Sequence, residues 1–103
     1  MAREKCPACH QKVAPGSIQD HPIIPAEVTR AGGIGQPQTF RLCEDCRRAL
    51  ASWYTARVHH SDFDPATRRF RPKSSLELVK EYQQVFASFL EVRRRLARTG
   101  RRR

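Results

Sequence analysis

No stretch of this sequence stays apolar for the roughly 18 residues that a membrane-spanning helix needs. No apolar leader-like segment opens it either, so nothing places it in an oxidising compartment. The expectation is a soluble, intracellular, cytoplasmic protein with no membrane partner. Aromatics are scarce at 8%, and apolar residues make up 39% of 103 positions. That length fits one small domain, whose core is marginal without help. Acid is scarce as well: Asp and Glu number 10 against 20 Lys and Arg, for a net charge of +10. From Arg93 to Arg103 there is no acid and there are seven arginines, which account for seven of the ten net charges. A concentrated basic segment suits an anionic polymer, most often nucleic acid. Arginine dominates it over lysine, and arginine grips phosphate in bidentate fashion. The plain alternative is a solvated tail that keeps the protein in solution.

Cysteine is also rare, and its arrangement organises everything else. The 4 cysteines fall into Cys6-Pro7-Ala8-Cys9 and Cys43-Glu44-Asp45-Cys46. Two Cys-x-x-Cys pairs offer the four thiolates of a closed tetrahedral Zn²⁺ site, each pair presenting both sulfurs from a tight turn. Structural zinc would supply folding free energy that the small core lacks. Two disulfides or two separate redox pairs are the other readings. The first lacks an oxidising compartment, and the second lacks a thioredoxin-like βαβ pattern.

Along the chain, Met1 to Lys5 is polar and reads as a frayed end, and Cys6 to His10 as a knuckle. Gln11 to Val13 and Ser17 to Ile24 are candidate strands separated by a Pro15-Gly16 turn. Ala26 to Arg30 fits a helical turn, and Ala31 to Thr39, with three glycines and a proline, a flexible loop. From Glu44 the period changes. Cys46, Ala49, Leu50, Trp53, Tyr54 and Val58 recur at three- and four-residue steps, one face of a helix whose first turn carries Glu44 and Asp45. The stretch 61–73, with two prolines, reads as a connecting loop. Ser74-Ser75-Leu76-Glu77 matches a capping box. A long helix follows over 74–99, with a stripe of Val79, Tyr82, Val85, Phe86, Phe89, Val92 and Leu96, then a basic tail over 100–103. The stripe either docks on the Leu50/Trp53/Tyr54 face within the chain, which is the favoured reading, or pairs two copies as a homodimer.

The pieces Cys6-Pro7-Ala8-Cys9, Asp20-His21-Pro22-Ile23-Ile24-Pro25, the loop around Gly32, Gly33 and Gly35, and Leu42-Cys43-Glu44-Asp45-Cys46 occur in that order. In this the chain resembles the four-cysteine HNH endonucleases over Cys6 to about Leu50. The resemblance implies an α+β fold: a treble-clef ββα zinc finger over 1–60, a β-hairpin pinned to a helix by structural zinc. It further implies that Asp20 is a ligand of a second, catalytic divalent metal and His21 the general base. The chain departs from the pattern at two points. Arg47 stands where the family has a second metal-binding histidine, and the sequence has no asparagine for the family's middle position, with Gln36 and Gln38 as the nearest substitutes. A guanidinium cannot ligate a cation. His59 and His60 lie too far along the helix to replace the ligand, and His10 reads as a surface residue.

Three functional readings follow. The first is a zinc-stabilised nucleic-acid-binding module with a degenerate catalytic motif, DNA being preferred to RNA as the polymer. Its phosphate contacts would come from Arg41, Arg47, Arg48, Arg57, Arg68, Arg69, Arg93, Arg94, Arg95, Arg98, Arg101, Arg102 and Arg103. The second is an active, divergent HNH endonuclease. The third is a protein-interaction adaptor working through the Val79 to Leu96 stripe. The small basic form also suits a phage or mobile-element protein. The first reading is the expectation carried forward.

Overall fold

The protein is described here from a computed structural model covering residues 3–33 and 38–100, the side chains of Thr99 and Gly100 excepted. Gly35, Gln36 and Arg101 to Arg103 lie outside the described residues. The elements in order are β1 (Glu4–Lys5), β2 (Lys12–Val13), β3 (Gln19–Pro22), α1 (Ala26–Ala31), β4 (Thr39–Leu42), α2 (Glu44–Arg57), β5 (Ser61–Asp64), β6 (Arg69–Pro72) and α3 (Ser75–Gly100). The architecture is a small α+β arrangement of three two-stranded antiparallel ladders, β1–β2, β3–β4 and β5–β6, with a middle helix and a long C-terminal one.

Each connection has a local cause. Ser17 N–H donates to Ala14 O at 3.1 Å across Pro15-Gly16, and Gly16 sits at φ +86°. Proline at the second position and a left-handed glycine at the third give a type II turn. The turn leads β2 into β3, whose register against β4 pairs Asp20 with Arg41 and His21 with Phe40. Between these strands α1 packs against α3 at Gly32. A Cβ added there would meet Val79 Cγ2 at 3.1 Å and Val28 O at 3.2 Å. Any larger residue there would press Val79 and the Val28 carbonyl back by a few tenths of an ångström.

The long helix begins at the capping box expected from its sequence. Glu77 N–H donates to Ser74 Oγ at 3.2 Å, and Ser74 N–H donates to Glu77 Oε1 at 2.9 Å. Two of the orphan amides of the first turn are thereby satisfied. Its stripe is core within the chain. Val79, Tyr82, Phe86 and Phe89 are buried, while Leu96 at the far end is 56% exposed. Trp53 and Phe89 meet edge to face at 6.0 Å, and Tyr54 and Tyr82 at 4.9 Å. The Tyr54 hydroxyl also donates to Ile23 O at 2.6 Å, tying α2 to the end of β3. Burial raises its pKa above the usual tyrosine range, with the neighbouring Tyr82 adding to the effect.

Two findings differ from the reading of the sequence. Glu4–Lys5 is a strand, not a frayed end: it pairs with β2, Glu4 opposite Val13 and Lys5 opposite Lys12. The connecting stretch is a regular hairpin, with Phe63 opposite Phe70 and Asp64 opposite Arg69. Pro72 is tolerated because it ends an edge strand, where its missing N–H leaves no ladder bond broken. The molecule is extended, 57 × 32 × 15 Å along its principal axes.

Candidate metal centre

The first cysteine pair is shaped by its backbone. Beyond β1 the chain folds back so that His10 N–H donates to Cys6 O at 2.9 Å and Cys6 N–H donates to Gln11 O at 3.0 Å. His10 takes the left-handed region, φ 62°, to close this knuckle. The β1–β2 ladder clamps its base. The second pair belongs to α2. Cys43, in extended conformation, is the N-cap residue, and its carbonyl accepts the Arg47 amide at 2.9 Å. Cys46 lies in the first helical turn. The Cys43 amide, at this helix start, acts on the Cys6 sulfur.

The two pairs converge. All four sulfurs lie within 4.8 Å of one another and all four residues are buried. Cys6 Sγ is 3.8 Å from Cys46 Sγ, and Cys9 Sγ is 3.8 Å from Cys43 Sγ. Sulfurs about 2.3 Å from a central zinc at tetrahedral corners would be about 3.8 Å apart. A disulfide would require about 2.05 Å, and the cysteines are free thiols. The donor set therefore fits Zn²⁺ in a closed site, structural in kind because no corner is left for substrate.

The acid–base chemistry of the sulfurs agrees. Burial works against ionising Cys6, yet the amides of Cys9, Cys43 and Ala8 outweigh it and bring that thiol to about 7. Burial pushes Cys9 and Cys46 up, helped in each case by the charge of Cys6. Four buried thiolates cannot coexist without a cation among them. A Zn²⁺ ion held by Cys6, Cys9, Cys43 and Cys46 would supply that charge and would join the N-terminal knuckle to α2.

The site implied by the HNH resemblance looks different. Asp20 and His21 are neighbours on an extended strand, so they project to opposite faces. Asp20 is exposed opposite Arg41; His21 is half-buried opposite Phe40. Burial and the charge of Arg47 hold His21 below the usual histidine range, and so neutral. Arg47 itself is committed: its Nη1 donates to Ser17 O at 2.9 Å and to Leu42 O at 2.8 Å. It staples the start of β3 to the end of β4.

The candidate phosphate-binding arginines divide into two groups. Arg41 faces Glu4 at 3.9 Å, Arg48 faces Glu44 at 3.5 Å and Arg95 faces Glu91 at 2.7 Å, all at the surface. Arg57 lies 3.4 Å above the Trp53 ring. Arg68, Arg69 and Arg98 are exposed. Arg93 and Arg94 are half-buried against the sulfur cluster. Arg93 Nη2 lies 3.5 Å from Cys46 Sγ, and Arg94 Nε donates to Pro7 O at 3.3 Å. The sequence held one sign of this: Arg93 continues the spacing of Tyr82, Phe86 and Phe89, so it belongs to the inward face of α3. The run of arginines around it hid that signal.

Comparison with known proteins returns no match among family models, curated proteins or solved structures. Among the described residues, no helix is long and apolar enough to cross a membrane.

Proposed function

We propose that this chain is a zinc-stabilised nucleic-acid-binding protein of HNH-like, treble-clef layout whose catalytic centre has been replaced by a structural arginine. The observation that carries the proposal is Arg47. Its guanidinium donates to Ser17 O and Leu42 O and lies close enough to His21 to depress its basicity. A divalent ion beside His21 would be repelled by that fixed positive charge. The order of β3, β4 and α2, with a sulfur pair opening the helix, supports the layout.

Binding is supported by the surface. The β5–β6 hairpin exposes Phe63 by 53% and Phe70 by 71%, stacked edge to face at 5.4 Å, with Arg68, Arg69 and Arg71 exposed beside them. Aromatic faces among basic side chains are what bases and phosphates engage. DNA remains the preferred polymer. The active-nuclease reading keeps one favourable observation, a half-buried His21 held neutral as a general base requires.

One preparation tests both readings. Gel shifts on duplex and single-stranded DNA and RNA, run at increasing salt, should show an affinity that falls steeply with ionic strength. Nicking assays with Mg²⁺, Mn²⁺ and Ni²⁺ should show no cleavage. Cleavage that disappears in His21→Ala while binding persists would establish the nuclease instead. Absence of binding to every polymer would remove the proposal.

A further inference from the structure

We infer that Arg93 is the counter-charge of the metal centre, and that α3 is latched to the sulfur cluster by charge as well as by apolar packing. The inference rests on the reading of the four cysteines as a metal site. A divalent ion on four thiolates leaves two net negative charges in a buried place. Such a centre needs compensation from donors around it. Amides at the start of α2 provide some. The described side chain that brings a full positive charge to a sulfur is Arg93, with Nη2 3.5 Å from Cys46 Sγ.

The surroundings of Arg93 suit this role. Its guanidinium lies 5.8 Å from the centre of the Phe89 ring, which is 1% exposed and belongs to the same core cluster as the four cysteines. Its Nε is buried with no hydrogen-bond partner. A half-buried guanidinium placed there against four neutral thiols would have no counter-charge beside it. Against thiolates on an ion it is balanced. Arg94 completes the contact from the other half of the site, since its Nε donates to the knuckle carbonyl of Pro7 and its guanidinium lies 6.0 Å from the Phe40 ring centre. Consecutive residues of α3 thus touch the knuckle and the helix that the ion joins. Arg95, one position on, turns outward to Glu91 and is exposed. It provides an internal control.

The test measures zinc affinity of the full chain by competition with a chromophoric chelator, for wild type, Arg93→Lys, Arg93→Met and Arg95→Ala. Methionine keeps an apolar stem and removes the charge, while lysine keeps the charge and loses the fork. Loss of an outer-shell partner commonly weakens metal binding about ten- to a hundredfold, and Arg93→Met should fall in that range. Arg93→Lys should lie between it and wild type, and Arg95→Ala should match wild type. Alkylation of the zinc-loaded protein by iodoacetamide gives a second readout. Cys46 should react faster in Arg93→Met than in Arg93→Lys, because its thiolate has lost a neighbouring positive charge. Met equal to or better than Lys in both measurements would show that Arg93 only fills space, and would overturn the inference while leaving the metal site intact. A wild-type chain that binds no zinc would overturn both.

Discussion

Phe89 and Phe70 are the same side chain in opposite circumstances. Phe89 is 1% exposed, packed with Trp53 and the four cysteines; Phe70 is 71% exposed and touches Phe63 across a hairpin. The region around Phe89 is held from several directions at once, by sulfur, by two helices and by the β3–β4 ladder. The β5–β6 hairpin is joined to the body mainly at its root. There Lys73 pairs with Glu81, Lys73 Nζ lies 3.6 Å from Asp62, and the His59 amide donates to Glu81 Oε2 at 2.6 Å. His60 and Tyr82 add a 3.3 Å contact between ring nitrogen and hydroxyl. One region uses its aromatics to hold the fold together. The other presents them to solvent at little structural cost, which is where a binding element is expected.

The contrast is broken most completely at the sulfurs. Cys43→Ser, or chelation of the wild-type chain, should unfold the body. Structural zinc contributes an apparent ~10–16 kcal/mol in small fingers, comparable to the whole ~5–15 kcal/mol stability of a domain. Circular dichroism with and without chelator measures this. A fully helical apo chain with an unchanged melting temperature would contradict it.

Next in size is Phe89→Ala, with an expected loss of about 3–5 kcal/mol from the lost burial and the cavity, read from denaturant midpoints. Arg47→Met should follow at about 1.5–3 kcal/mol. It leaves Ser17 O and Leu42 O without a charged donor. If the same variant gained metal-dependent nicking, the blocked-site reading would gain direct support.

Smaller effects separate the hairpin from the body. Glu81→Gln should cost about 1–2 kcal/mol, since Glu81 and Lys73 are partly shielded from water. Its clearest sign should be faster amide exchange in β5 and β6. Acid should mimic it. Burial alone would raise the Glu81 pKa, but Lys73 and the His59 amide hold it below the usual carboxylate range. The contribution is therefore fully present above the unfolded value of ~4.3 and is lost as pH falls through the folded one. Smallest of all, Phe63→Ser with Phe70→Ser should change global stability by less than about 1 kcal/mol, yet weaken nucleic-acid binding. A large drop in melting temperature would place these rings in the core's ledger after all.

What could be read from the residues follows the strength of each local signal. The cysteine spacing, the Ser74/Glu77 box and the stripe through Tyr82, Phe86 and Phe89 are patterns with single physical explanations, and each appears in the structure. The β1 strand is two residues long and carries no periodicity to detect. The β5–β6 hairpin is obscured by Pro65 and Pro72, and Ser61-Asp62-Phe63-Asp64 has a single apolar residue, too little to show an alternation. Its turn gave no glycine or asparagine cue, because Arg68 occupies the left-handed position at φ 55°. The fate of Arg47 was half legible: side-chain chemistry excludes it as a ligand, but only geometry reveals which carbonyls it holds.

A body 15 Å thick has room for two layers of secondary structure and no more. Such a slab has little depth in which to enclose a substrate. Among the described residues, the broad faces and the protruding hairpin offer the surface on which a long partner would be met. Variants that weaken recognition of such a partner should therefore be scattered over tens of ångströms of that surface.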